Sequence, residues 1–349
     1  MQIRALKYLL VFTLPITVAV SFVSTGWLTF LPLLYSFFVI PVLELFFKPD
    51  AENASAAELE IRKEDKLYDY LLYAVVPVQY GFLVWFLFAV GESGLTLWEQ
   101  AGRVSGFGLM CGVIGINVAH ELGHRVTKPE QFMAKALLLT SQYMHFFIEH
   151  NRGHHKHVST KEDPSSARKN EILPAFWLRS VFTGYLSAWR LENERLRRKK
   201  QPLVSFKNEM LRFLGIQLGF LVLIVLFFSA KVLFLYLLAA IFGFLLLETV
   251  NYIEHYGLQR QKVSEFRYEN ASPKHSWNSN HIVGRLMLFE LSRHSDHHYK
   301  ASKKYQFLEH HDDSPQMPTG YPGMMIMAFI PPLWFWIMNK ELEKLKYRA

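Results

Sequence analysis

Six uninterrupted apolar runs constrain this chain more than any other feature: Tyr8–Val23, Trp27–Phe47, Tyr70–Val90, Val104–Gly123, Leu211–Phe228 and Val232–Ile253. Each is near the roughly 20 residues an α-helix needs to cross a hydrocarbon core, allowing for tilt. The chain is therefore predicted to be an all-α integral membrane protein with six transmembrane helices, a single membrane domain over residues 1–349. Only 19% of the residues are charged, below the quarter typical of a soluble domain, while 51% are hydrophobic. The first run passes through Ser24-Thr25-Gly26 directly into the second, so it reads as half of a helical hairpin and not as a cleavable signal peptide.

Loop charges orient the helices. The net charge of +8 does not point to nucleic acid, because the basic residues concentrate beside the apolar runs. Residues 48–66 carry Lys48, Arg62, Lys63 and Lys66; residues 91–103 carry Arg103 alone; residues 150–207 are strongly basic. Placing both termini, 48–66, 124–210 and everything after His255 in the cytoplasm satisfies the bias throughout. That solution requires a seventh apolar stretch, Phe132–Ile148, to be a non-spanning helix, re-entrant or buried against the bundle. The lone cysteine, Cys111, excludes a disulfide framework and any Cys-x-x-Cys site for thiolate-bound iron.

The 15 histidines are the anomaly. Nine fall in four tracts: His120-Glu121-Leu122-Gly123-His124, Glu149-His150-Asn151-Arg152-Gly153-His154-His155, Asn251-Tyr252-Ile253-Glu254-His255-Tyr256-Gly257, and Arg293-His294-Ser295-Asp296-His297-His298. Residues three or four apart share a helix face, so His120 with His124, His150 with His154, and His294 with His297 or His298 can each address one metal. A lone HxxxH at a helix end is ordinarily a solvated or capping pair, and HExxH alone matches the zinc-protease motif. Four tracts on one membrane face exceed both readings: two, three, one and three imidazoles are too many for one ion and suit two. Spacing does not select the metal, since imidazole suits iron, zinc, copper and nickel. Glu121, Glu149, Asn151, Glu254 and Asp296 flank the tracts and are the expected acceptors for the imidazoles' outer N–H groups. The segments 120–207 and 255–349 are thus expected to form a cytoplasmic metal-bearing cap.

These tracts resemble the membrane-bound alkane 1-monooxygenase (alkane hydroxylase) family, within the wider histidine-rich group of membrane desaturases and hydroxylases. The likeness includes HSWNSNH at 275–281 and SPQMPTGY at 314–321; it is close over 104–336 and looser over the first three spans. NYIEHYG is its most specific element, because desaturases share the other histidine boxes. The resemblance implies two non-haem irons on the nine histidines, O2 as co-substrate, and oxidation of the terminal methyl of medium- to long-chain n-alkanes to 1-alkanols. Such one-electron and O2 chemistry belongs to a redox metal, not to a protein acid or base. Substrate would enter from the bilayer lipid of the bacterial inner membrane. Electrons would come from a rubredoxin and its NAD(P)H-dependent reductase, as separate proteins, since no Cys-x-x-Cys follows the apolar stretch Pro331–Met338. The basic run Arg195–Lys200 could dock an acidic rubredoxin, or equally enforce topology or meet anionic head groups. By alignment with the family's second span, Ser36 occupies the position limiting how far substrate extends, where relatives can carry Trp.

The nearest rivals are a hydroxylase of methyl-aromatic (xylene-type) substrates and a lipid desaturase of the same superfamily. Metal transport would need ionisable residues deep within the spans, yet Glu44 and Glu248 lie near the cytoplasmic ends of theirs. Of the six remaining histidines, His145 reads as a core residue, His275 and His281 as loop-shaping, and His157, His310 and His311 as exposed.

Overall fold

A computed structural model describes residues 3–265 and 267–346, so Ala349 lies outside the described residues. It contains six helices long and apolar enough to span a membrane: Arg4–Val23, Gly26–Phe46, Leu67–Gly91, Leu97–Gly123, Glu209–Phe227 and Ala230–His255. The molecule is an integral membrane helical bundle. Each helix contains most of its predicted run, but the ends move. The fourth begins at Leu97 and not at Val104, because Thr96 and Glu99 form a reciprocal capping box. Arg103, expected as a loop charge, is consequently buried within that helix. Its guanidinium donates to the carbonyls of Ala89 and Ser24, which end the third and first spans, and to Glu92 at 2.6 Å. The sixth span begins at Ala230 and not at Val232, because the Ser229 hydroxyl caps it by accepting from the Val232 N–H.

The fourth span is the axis of the bundle, 78% buried, whereas the fifth is only 17% buried and leaves its apolar surface to lipid. The fourth and sixth pack backbone to backbone. A Cβ at Gly112 would lie 2.6 Å from the Gly243 carbonyl, and one at Gly243 would lie 2.5 Å from the Cys111 Cβ. Glycines at such crossings permit the close approach that drives helix association where lipid offers no hydrophobic drive.

The stretch Phe132–Ile148 is not one helix. A 12-residue helix, Lys128–Leu139, closes at Thr140, the chain turns through Gln142 at a φ of 55°, and helix resumes at Phe146–Glu149. Such a helix is roughly 18 Å long, short of the core thickness. Two further features depart from the reading of the sequence. The basic segment after residue 150 contains a 26-residue helix, Leu173–Arg198, whose buried Ser180 bonds Glu248 at 2.5 Å and whose Trp177 bonds Thr249 at 3.1 Å on the sixth span. The fold is also not wholly helical: Lys262–Ser264 pairs antiparallel with Arg267–Tyr268.

Candidate metal centre

Four helix ends deliver the histidines. His120 lies in the last turn of the fourth span, after a π-helical stretch over Met110–Ile116, and His124 follows where that helix closes. His255 is the last residue of the sixth span. His294, His297 and His298 sit on one short helix, His294–Tyr299. Between them the helix Phe146–Glu149 widens into a π-turn over His150–His154. π-turns are uncommon and gather at functional sites.

All nine imidazoles come together, in two groups. His120, His124, His150, His155 and His297 form one, and His154, His255, His294 and His298 the other, the donor atoms of each lying within 4.8 Å of one another. Two expected pairings hold, His120 with His124 and His294 with His298. The expected pairing of His150 with His154 does not. In the π-turn the His155 N–H reaches back to the His150 carbonyl, five residues earlier, so His150 and His155 address one group while His154 turns to the other. His297 likewise parts from its helix neighbours.

Donor chemistry fits bound cations. The His150 Nε2 lies 3.1 Å from that of His124 and 3.0 Å from that of His155, which is 3.1 Å from that of His297. In the second group the His298 Nε2 lies 2.9 Å from that of His294 and 3.1 Å from that of His154. A neutral imidazole nitrogen either donates or accepts, so such strings make poor hydrogen-bond networks, whereas lone pairs converging on a metal satisfy every member. The His120 Nε2 is buried without any partner. Burial first, and then the neighbouring imidazoles, pushes His150, His155, His294, His297 and His298 well below the ordinary histidine range. Burial, with His154 and Arg125, takes His124 down to about 3. These six rings are thus held neutral, the form that ligates.

The flanking polar residues behave differently from expectation. Glu121 accepts from Arg125 at 2.6 Å and from the Tyr305 N–H, and Asp296 from Lys303, His311 and the Glu309 N–H. Asn151 donates to the Phe147 carbonyl. Glu149 leaves one buried oxygen unpartnered, and burial together with Asp163 and Glu248 pushes its carboxyl well up. None of these four bonds a clustered imidazole. Only Glu254 does, and on the inner side: its Oε2 lies 3.1 Å from the His294 Nε2, while Tyr321 donates to its Oε1 at 2.7 Å. The outer partner that sequence reasoning missed is Asp163, whose Oδ2 lies 2.9 Å from the His154 Nδ1. Burial would raise this carboxyl, but His154 and the Ser166 hydroxyl hold it below the usual range. No fixed spacing marks Asp163; the only signal is an acid before Pro-Ser-Ser in the loop after the second tract.

An apolar cavity borders this centre. Ser36, Phe37 and Ile40 line it from the second span, Val113 and Asn117 from the fourth, and Leu246 and Val250 from the sixth. His120 and His150 of one group and His294 of the other face it, with Glu254 and Tyr321. The six other histidines join neither group. His145 is buried against Tyr143 and Tyr185, and His275 and His281 bond Ser272 and Ser279 within their own loop. His157, His310 and His311 are not simply exposed: all three are half-buried, and His311 bonds Asp296 at 2.9 Å.

The family model for fatty acid desaturases matches residues 101–327. An alkane 1-monooxygenase 2 of Pseudomonas aeruginosa is 41% identical over 311 residues, 88% of this chain and 82% of that one. An alkane 1-monooxygenase of Pseudomonas putida is 40% identical over 89% of this chain and 78% of its own. The xylene/toluene monooxygenase hydroxylase component of Pseudomonas putida is more distant, 26% identical over 78% and 73%.

Proposed function

This chain belongs to the alkane 1-monooxygenase family, and from that premise we propose that it hydroxylates the terminal methyl of medium- to long-chain n-alkanes at two irons, one in each histidine group. The observation that carries this reading is the apolar cavity that meets imidazoles of both groups. An unfunctionalised hydrocarbon offers no polar handle, so only shape and apolar lining can position it. Iron held by these histidines would supply the O2 activation and the C–H oxidation that side chains cannot.

The chain's own residues bind, orient and exclude water. Leu246, Val250, Ile40 and Val113 hold an extended alkyl chain in a dry passage between spans. A chain that entered this passage end-on would present its terminal carbon to the imidazoles. Tyr321 fixes the Glu254 carboxylate beside the His294 Nε2, so Glu254 would help His294 hold a cation instead of orienting that ring from behind. The decisive test is purified protein with a rubredoxin, its reductase, NADH and octane, assayed for 1-octanol. Toluene and a saturated acyl lipid run alongside, and faster oxidation of either would replace the alkane reading with a methyl-aromatic hydroxylase or a desaturase.

Asp163 is the residue whose loss separates metal retention from substrate binding. Its hydrogen bond fixes the His154 ring, and outer partners of metal-bound histidines are worth roughly 10–100-fold in metal affinity. Asp163→Ala should weaken iron binding by that range, read by chelator competition, with Asp163→Asn retaining more. Unchanged iron retention in Asp163→Ala would remove it from the centre.

The side of the membrane follows from the charge bias. Reporter fusions after Lys66 and Lys200 should be cytoplasmic and a fusion in the loop after Gly91 periplasmic. Lys200 is decisive, because a periplasmic signal there would require 128–149 to cross the inner membrane and would overturn a cytoplasmic cap.

A further inference from the structure

We propose that the basic pocket at the foot of the fifth span binds the phosphodiester head group of an anionic phospholipid. Arg195 and Lys199 from the end of the helix Leu173–Arg198, Lys207 from the following loop, and Arg212 from the first turn of the fifth span line one recess, with Arg152 at its inner wall. One carboxylate, Glu209, lines the recess and a second, Glu192, is bonded to its arginines from the interior; both are already engaged. Glu192, fully buried, accepts from Arg195 at 2.6 Å, Arg152 at 3.1 Å and the Glu209 N–H at 2.7 Å. Glu209 is bonded by Lys135 at 2.5 Å and flanked by Arg152 at 3.6 Å and Arg212 at 3.7 Å. Six cations therefore surround two acids, and among the described residues the Lys199 ammonium pairs with neither.

What decides between a free anion, an acidic protein and a lipid is the wall beside the charges. The loop before the fifth span presents Val204 at 87% and Phe206 at 95% exposure, and Phe206 lines the pocket itself. Two residues beyond Phe206 comes Asn208, which caps the fifth span, and that span is left almost entirely to lipid. Uncovered apolar side chains one turn from the entry of a span belong at the acyl–head-group boundary, and basic side chains beside them attract anionic head groups. A phosphodiester with an acyl chain satisfies both; inorganic phosphate leaves Phe206 in water. The basic run of this helix thereby acquires a lipid role, and Arg152, in the π-turn that carries His150 and His154, links the pocket to the centre.

The test uses the delipidated full-length protein in detergent, titrated with phosphatidylglycerol, phosphatidylcholine or inorganic phosphate and read by native mass spectrometry and thermal midpoint. Phosphatidylglycerol should bind in preference to phosphatidylcholine and raise the midpoint. The double variant Lys199→Gln/Arg212→Gln leaves the Glu192 network intact and should fold normally; it should bind phosphatidylglycerol roughly thirtyfold more weakly, given the usual contribution of each basic residue near an anionic surface. Phe206→Ser should weaken the lipid without changing phosphate binding. Equal retention of the two lipids, wild-type lipid binding by the double variant, or competition by phosphate as effective as the lipid's would each overturn the proposal. So would a double variant that keeps the lipid but loses electron transfer from an acidic donor protein, which would assign the pocket to protein docking.

Discussion

His155→Ala should abolish 1-octanol formation and strip iron chiefly from one histidine group, whereas His298→Ala should abolish it by emptying the other. The two rings belong to different groups, and each sits in a string of nitrogens 2.9–3.1 Å apart. Removing a ring deletes a neutral donor in a buried pocket where water has little access. The loss of turnover should exceed the roughly 100-fold that can follow loss of an outer partner alone. Elemental analysis with Mössbauer spectroscopy reads the two sites separately: each variant should lose one environment more than the other. The same outcome, turnover abolished with bound iron lowered, is expected at His120, His124, His150, His154, His255, His294 and His297. His157→Ala, in neither group, should keep both iron and activity. Wild-type iron content and turnover in two or more of the nine variants would refute the ligand assignment.

Sequence reasoning singled out the nine histidines that the structure brings together, but not how they divide into two groups. The nine histidines are legible because HxxxH and HxxHH spacings recur at the ends of apolar runs, and because few other roles need so many imidazoles. Which group each histidine joins depends on a π-turn at His150–His154, a change of one residue in hydrogen-bond register that no residue type announces. The outer partners were misread for a related reason. Glu121 and Asp296 neighbour the tracts in sequence, but Arg125 and Lys303 take their carboxylates. Asp163 is distant in sequence from three of the four tracts and reaches His154 only because the loop folds back. The spans were legible from hydropathy alone. Missing from that reading was the Thr96–Glu99 capping box, a visible signal that would have started the fourth span at Leu97 and placed Arg103 inside it. The helix Leu173–Arg198 escaped because its basic composition masked a seven-residue buried face running from Leu173 to Leu196.

Ser36→Trp should spare octane hydroxylation, within about twofold, and cut turnover of alkanes longer than about twelve carbons by tenfold or more, extended chains gaining roughly the length of a C–C step per carbon against a fixed stop. Ser36 is buried on the cavity wall, in a π-helical stretch over Tyr35–Val39. Pro41, two residues beyond, lacks the N–H that an α-helical register would use, and the Ile40 N–H bonds the Tyr35 carbonyl instead. That wider turn brings Ser36, Phe37 and Ile40 together on the cavity. Ser36 lies ten residues before Phe46, roughly 15 Å from the end of its span, while the imidazoles sit at the span ends. An indole at that depth closes the far part of the passage and leaves the part beside His120, His150 and His294 open. The competing role for a small residue here is helix packing. Competition among octane, dodecane and hexadecane, with products quantified by gas chromatography, distinguishes the two. Equal losses at all three lengths would indicate a packing role, and Ser36→Ala, which preserves the space, should leave every substrate unaffected.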